Sequence, residues 1–239
     1  MRILIASRSF PPDVHRGSSR LVWNLWDRLR QDHEVVLVAG WRRDPSLLPA
    51  DARAVRLDGG HPFKARAAME IAVRRAAWRF RPDVVLASGI EVPVDVAPTV
   101  GLIEDPFQGE SAWGRLRGLR RRLWRNRISG MAAAVVPSNA AKARLEDFGI
   151  DGAKVRVAWP GVDTARLLPD ATVEHGAEGP VRLLYAARMV PGKGQHVAIE
   201  ALKGLHPNIQ DRLTLDLVGA PEDDAYVATL RRRAEGAPV

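Results

Sequence analysis

The feature that most constrains this chain is a repeated alternation of short apolar runs with segments of helical period. Apolar runs occupy residues 2–6, 34–38, 52–57, 84–87, 99–103, 131–136, 154–157, 181–186 and 213–218. Most are bounded by Gly, Pro or charge, and their length suits buried parallel strands better than helices. Between them apolar residues recur at helical spacing. Leu21, Leu25, Trp26 and Leu29 form one stripe, with Ser18 or Ser19 expected to cap it. Ala65, Ala68, Met69, Ala72, Val73 and Ala76 form another over 62–80, stopped by Arg81-Pro82. Further helices are expected at 139–148, closed by Gly149, and at 221–233. Strand, loop, helix, strand, repeated, specifies an α/β fold of parallel sheets with crossover helices. No window approaches the roughly 18 apolar residues of a membrane span. The chain has no cysteine, which excludes disulfides and thiolate metal sites. It opens directly on a strand, without an apolar h-region and cleavage site, so a cytoplasmic protein is expected.

One strand exit carries concentrated chemistry. The run 181–186 leads into Arg188, Met189, Val190, Pro191, Gly192, Lys193 and Gly194. A helix is expected from Gln195, burying Val197, Ala198, Ala201, Leu202 and Leu205. Open α/β sheets bind ligands beyond the carboxyl ends of their strands. A helix N-terminus there presents N–H groups and the positive end of a dipole. Arg188 and Lys193 add two charges, so the turn suits an anion, most simply a phosphate or diphosphate. It is not a Walker A loop, because Ala187 and Gly194 stand where Gly and Ser or Thr are required. It is not a dinucleotide fingerprint, because Val197 replaces the third Gly. An ordinary strand–turn–helix with solvated charges is the alternative at this point.

Other exits add to the pattern. The loop 7–18 holds Pro11, Pro12, Arg16, Gly17 and Ser18. The run 99–103 ends in Glu104-Asp105-Pro106, and 131–136 runs into Ser138. A second cluster reads Lys154-Val155-Arg156-Val157, then Trp159-Pro160-Gly161-Val162-Asp163. Arg, four residues, Lys, Gly after an apolar strand, spaced correctly from this second cluster, resembles the GT-B glycosyltransferases, specifically the retaining enzymes of family 4. The chain departs from that family in places. Ser18 replaces one of a Gly-Gly pair, Ala87-Ser88-Gly89 stands for a His-x-His, Glu104 stands for a His, and Trp159-Pro160 stands for Pro-Asn.

The resemblance implies an N-terminal Rossmann-like acceptor domain over 1–167, a linker at 168–180, and a partial Rossmann-like donor lobe over 181–239, facing each other across a cleft. It implies that Arg188, Gly192 and Lys193 hold the diphosphate of a UDP- or GDP-linked sugar. Arg16, Gly17 and Ser18 would form a loop facing phosphate and acceptor, and Glu104 or Asp105 would stand in for the missing His as acid or base. The implied reaction transfers a sugar to a glycan, lipid-linked or small-molecule acceptor with retention, and needs no cofactor. No Asp-x-Asp metal motif is present in the sequence, and no metal is expected. A donor lobe of this family continues past the point where this chain stops and carries a Glu, seven residues, Glu motif. The chain therefore reads as a fragment, a naturally shortened protein, or half of a split enzyme, weak in donor affinity by itself. Its expected partners include a C-terminal half or a second copy of the chain.

The formal net charge is +8, which favours anionic partners. The charge is concentrated at 113–128, where seven arginines alternate with Trp113, Leu116, Leu119, Leu123, Trp124 and Ile128, without an acid. The plainer expectation is a helix docked on the sheet by this apolar stripe, its arginines in water. The alternative is peripheral contact with an anionic membrane surface. Two readings of other classes stay open: a glycosyltransferase-like binding or scaffold protein without catalysis, and a basic module for membrane or nucleic acid. No RRM, KH, zinc or helix-turn-helix signature supports nucleic acid.

Overall fold

The computed structural model describes residues 1–11, 17–41, 44–57, 62–90, 92–104, 117–165, 168 and 181–239. The chain forms two compact units, Met1–Asp163 and Thr164–Val239. The first unit runs β1 (Arg2–Ser7), α1 (Gly17–Asp32), β2 (Glu34–Trp41), β3 (Arg53–Arg56), α2 (Pro62–Phe80), β4 (Val84–Ser88), β5 (Thr99–Leu102), α3 (Arg117–Ser129), β6 (Ala133–Val136), α4 (Asn139–Asp147) and β7 (Val155–Val157). Its seven strands pair in parallel in the order β3-β2-β1-β4-β5-β6-β7. The order reverses between β1 and β4, which makes that point the switch of the sheet.

Side-chain alternation sends successive residues of each strand to opposite faces. Ile3 and Ile5 of β1 and Leu37 of β2 pack with Val22 and Trp26 of α1. Leu4, Ala6, Val38, Val85 and Ala87 pack with Ala65, Met69, Val73 and Ala76 of α2 on the other face. The register Ala87–Gly101–Ala134 carries that second face across the sheet, where Ala134 and Val136 meet Ile128 of α3 and Leu145 of α4. So α1 covers one face, and α2, α3 and α4 lie on the other.

Local chemistry sets the element ends. Pro62 begins α2, where its missing N–H costs nothing. Arg81 takes a left-handed φ of 48° and Pro82 follows, which ends it. Ser138 caps α4, its Oγ accepting from the Ala141 N–H at 3.1 Å.

The second unit holds β8 (Val181–Ala186), α5 (Gln195–Lys203), α6 (Pro207–Gln210), β9 (Leu213–Val218) and α7 (Asp224–Ala234). β8 and β9 pair in parallel as a two-stranded sheet. Tyr185, Leu213, Leu215 and Leu217 face Ile199 and Leu202 of α5 and Tyr226 and Leu230 of α7.

Four expectations change. Gly17 and Ser18 are the first two residues of α1 rather than loop, and neither Ser18 nor Ser19 caps it; Ser19 is buried inside the first turn. β8 is mostly exposed, because it has one neighbouring strand and helices pack with its other face only; Leu184 is 68% exposed. α5 buries Gln195, Ile199 and Leu202, whereas Val197 is exposed. The stripe of α3 does not dock as a unit: Ile128 is buried and Trp124 half-buried, but Leu119 and Leu123 face solvent. Trp113 and Leu116 of that stripe, and most of 168–180, lie outside the described residues.

Candidate functional site

The turn after β8 is built by backbone pairing that continues past the strands. The Ala187 N–H donates to Val218 O at 2.9 Å and the Met189 N–H to Ala220 O at 2.8 Å. Gly219 permits this approach, since a Cβ there would sit 1.8 Å from Ala187 O. Pro191–Lys193 forms a single 3-10 turn, and Gly194, at φ 78°, reverses the chain into α5. A residue with a Cβ is strained at that φ, which accounts for glycine there.

Gln195, 1% exposed, holds the turn from below. Its Nε2 donates to Arg188 O at 2.8 Å and lies 3.4 Å from Ala187 O. The Tyr226 hydroxyl donates to Gln195 Oε1 at 3.3 Å, accepts from the His196 N–H at 3.2 Å, and lies 2.8 Å from His196 Nδ1. Part of the N-terminal turn of α5 is therefore satisfied internally: the Val197 N–H also donates, to Gly194 O.

Arg188, Gly192 and Lys193 share this one turn. The Arg188 guanidinium is half-buried and donates from Nη1 to Glu222 Oε2. Lys193 is exposed and makes no ion pair among the described residues; its carbonyl accepts from the Tyr185 hydroxyl at 2.6 Å. Gly192 has no positive φ, and a Cβ there would meet nothing within 4 Å. Neither backbone strain nor packing explains that glycine, and it leaves the surface beside Lys193 open.

The first unit places Gly17, Ser18 and Glu104 at the carboxyl edge of its sheet. Gly17 and Ser18 open α1, which follows β1, and a Cβ on Gly17 would also meet nothing within 4 Å. Glu104 follows β5, two strand spacings or about 10 Å from β1. Burial pushes the Glu104 carboxyl above its ordinary value, because desolvation disfavours the charged form. Arg16 and Asp105 lie outside the described residues. Among the described residues no group of three His, Cys, Asp or Glu could hold a metal ion, and no helix is long and apolar enough to cross a membrane.

Sequence reasoning passed over Gln195, Gly219, Glu222 and Tyr226. A helical wheel centred on Ile199 and Leu202 would have placed Gln195 at the middle of the buried face. Nothing local marks Glu222 or Tyr226, which reach the turn across 34 and 31 residues of sequence.

The family model for Glycosyltransferase Family 4 matches residues 15–166. No curated protein matches the chain significantly. HepE of Anabaena, in a crystal structure with UDP-glucose, is similar at 18% identity over 98% of this chain, with a TM-score of 0.70. A sucrose-phosphate synthase of Thermosynechococcus elongatus is similar at 15% identity over 98% of this chain, with a TM-score of 0.67, and this chain covers 73% of it. WaaG, a glycosyltransferase involved in lipopolysaccharide biosynthesis, is similar at 14% identity over 97% of this chain, with a TM-score of 0.69, and 67% of it is covered. The chain spans 65% of the length of HepE. The shared architecture is the GT-B fold, and with a family model matching more than half of its length, the chain belongs to glycosyltransferase family 4.

Proposed function

We propose that the turn from Arg188 to Gly194 binds the diphosphate of a nucleotide sugar, UDP- or GDP-linked, and that the chain provides the acceptor domain and part of the donor lobe of a retaining glycosyltransferase. The observation that carries this reading is the turn itself. A lysine with no ion pair among the described residues, an arginine held by one guanidinium nitrogen, a glycine with open space beside it and the N-terminus of α5 meet at a strand's carboxyl end. HepE, which shares the fold, was crystallised with UDP-glucose.

In the transfer, the bond from the sugar's anomeric carbon to the diphosphate oxygen breaks and that oxygen keeps the electron pair. The acceptor hydroxyl bonds to the same carbon and gives up its proton. Arg188, Lys193 and the dipole of α5 stabilise the charge growing on the diphosphate, so no metal ion is required. Gly17, Ser18 and Arg16 would face the acceptor or a phosphate, and Glu104 or Asp105 would exchange the proton. The acceptor is a glycan, a lipid-linked sugar or a small molecule. Donor binding without turnover is the second reading, favoured by Glu104 standing where the family commonly carries a histidine.

Isothermal titration with UDP and GDP tests the site. Saturable binding is expected, weakened about tenfold to a hundredfold in Arg188→Ala and in Lys193→Ala, as charge-assisted hydrogen bonds are lost. No binding by the folded chain, or binding indifferent to both substitutions, removes the diphosphate from this turn.

A further inference from the structure

Two neighbouring helices of the first unit expose apolar side chains among arginines. At 3.6 residues per turn, Leu119 and Ile128 of α3 point in directions about 180° apart. Ile128 is 1% exposed against the sheet, whereas Leu119 is 57% and Leu123 44% exposed. α3 thus has two apolar sides, one docked and one facing water. Arg122 and Arg120 flank the outward pair. On α2, Ile71 and Trp78 are seven residues apart and share the outward side, exposed by 51% and 79%. Arg75 and Arg79 stand beside them.

Both helices lie on the same face of the sheet, so their outward sides point the same way. They are tied together where Arg127 of α3 donates to Glu70 of α2 at 3.1 Å. That pair, with Arg74 bonded to Asp95, engages the carboxylates of Glu70 and Asp95. From residue 111 to 145 the sequence contains no Asp or Glu at all. Exposed Leu and Ile are ordinary one at a time. Here four large apolar side chains share one basic surface.

We infer that the outward sides of α2 and α3 form a docking surface for an anionic lipid bilayer. The charge favours it, since each arginine near an anionic membrane strengthens binding about fivefold. The apolar side chains favour it over nucleic acid. Leu119, Leu123 and Ile71 can enter the acyl boundary, and an indole such as Trp78 suits the headgroup level. A polyanion with no apolar phase would leave them in water. The inference concerns the first unit alone and does not depend on donor binding at Arg188.

Sedimentation with vesicles of phosphatidylcholine, with and without phosphatidylglycerol, tests it. The chain is expected to bind the vesicles containing phosphatidylglycerol, to be released by salt, and to bind phosphatidylcholine alone poorly. Arg120→Gln with Arg122→Gln should lower binding about thirtyfold. Leu119→Ser with Leu123→Ser should lower it by about tenfold or more. The substituted leucines are exposed, so an unchanged circular dichroism spectrum is expected. Should Leu119→Ser with Leu123→Ser lose its fold, Trp78→Ala replaces it, with reduced vesicle binding expected. Failure of the parent chain to bind the anionic vesicles overturns the proposal. So does vesicle binding that the apolar substitutions leave unchanged, since charge alone then accounts for it, as it would with RNA.

Discussion

β1 and β8 are both six-residue strands of nearly the same character, RILIAS and VRLLYA. In β1 every residue after Arg2 is buried; in β8 none is. The difference lies in their neighbours. β1 sits between β2 and β4, with α1 on one face and α2 on the other. β8 pairs only with β9, and α5 and α7 pack with the face that carries Tyr185. An apolar run specifies a strand, but its burial depends on partners far away in sequence. A run buried on both faces in one unit contributes a core, and a similar run in the other contributes chiefly the scaffold of a turn.

The largest expected effect separates the two strands directly. Leu4→Ala removes a side chain with no exposed surface, and cavity formation should cost about 2–5 kcal/mol. Leu184→Ala removes one that is 68% exposed and should change stability by no more than about 0.5 kcal/mol. Urea unfolding followed by circular dichroism measures both. Equal costs would mean that β8 is covered in solution, and the contrast between the strands would fail.

The same contrast explains what was legible in the sequence. Ends fixed by local chemistry were readable: Pro62 and Arg81-Pro82 bound α2, and Ser138 and Gly149 bound α4. The alternation of strands and helices and the cationic turn were readable for the same reason, since both are short-range patterns. Orientation was harder. On α5 the expected stripe of Val197, Ala198, Ala201, Leu202 and Leu205 and the truly buried set Gln195, Ile199 and Leu202 differ by about 90° of helix rotation. Pattern reading chose the wrong one because the right one has a glutamine at its centre. On α3 apolar residues on two sides were read as one stripe. Glu222 was illegible for another reason: its role rests on an ion pair with Arg188 that only the pairing of β8 with β9 creates.

Gln195 sharpens the comparison from within the second unit, whose few buried side chains include this polar one. In Gln195→Leu the carbonyl of Arg188 loses a donor and the Tyr226 hydroxyl an acceptor. The expected loss is about 1–3 kcal/mol, confined to unfolding of that unit. If Gln195 positions the donor turn, UDP affinity falls in the still-folded variant as well. Thermal unfolding and UDP titration on one preparation check both. Stability lost with affinity unchanged would make Gln195 a plain core residue and leave Arg188 to position itself, through Glu222.

The smallest expected effect concerns the unlike polar groups that each unit places at a strand's carboxyl end. The second contributes Arg188, already paired with a carboxylate. The first contributes Glu104, which burial drives toward its neutral form. A carboxyl whose pKa is higher folded than unfolded favours the folded state only while protonated. Its contribution is fully present at pH below the unfolded value and is lost as pH rises through the raised folded value. Glu104→Gln cannot ionise and escapes that loss. Relative to the parent, the variant should therefore gain stability as pH climbs from the unfolded carboxylate value, and the difference should level off above the raised folded value. Urea midpoints of both proteins across that range measure it. A difference independent of pH would mean that Glu104 titrates as it does in the unfolded chain. Burial at the end of β5 would then impose no cost on its ionised form, and Glu104 would have no distinct proton chemistry to offer the proposed site.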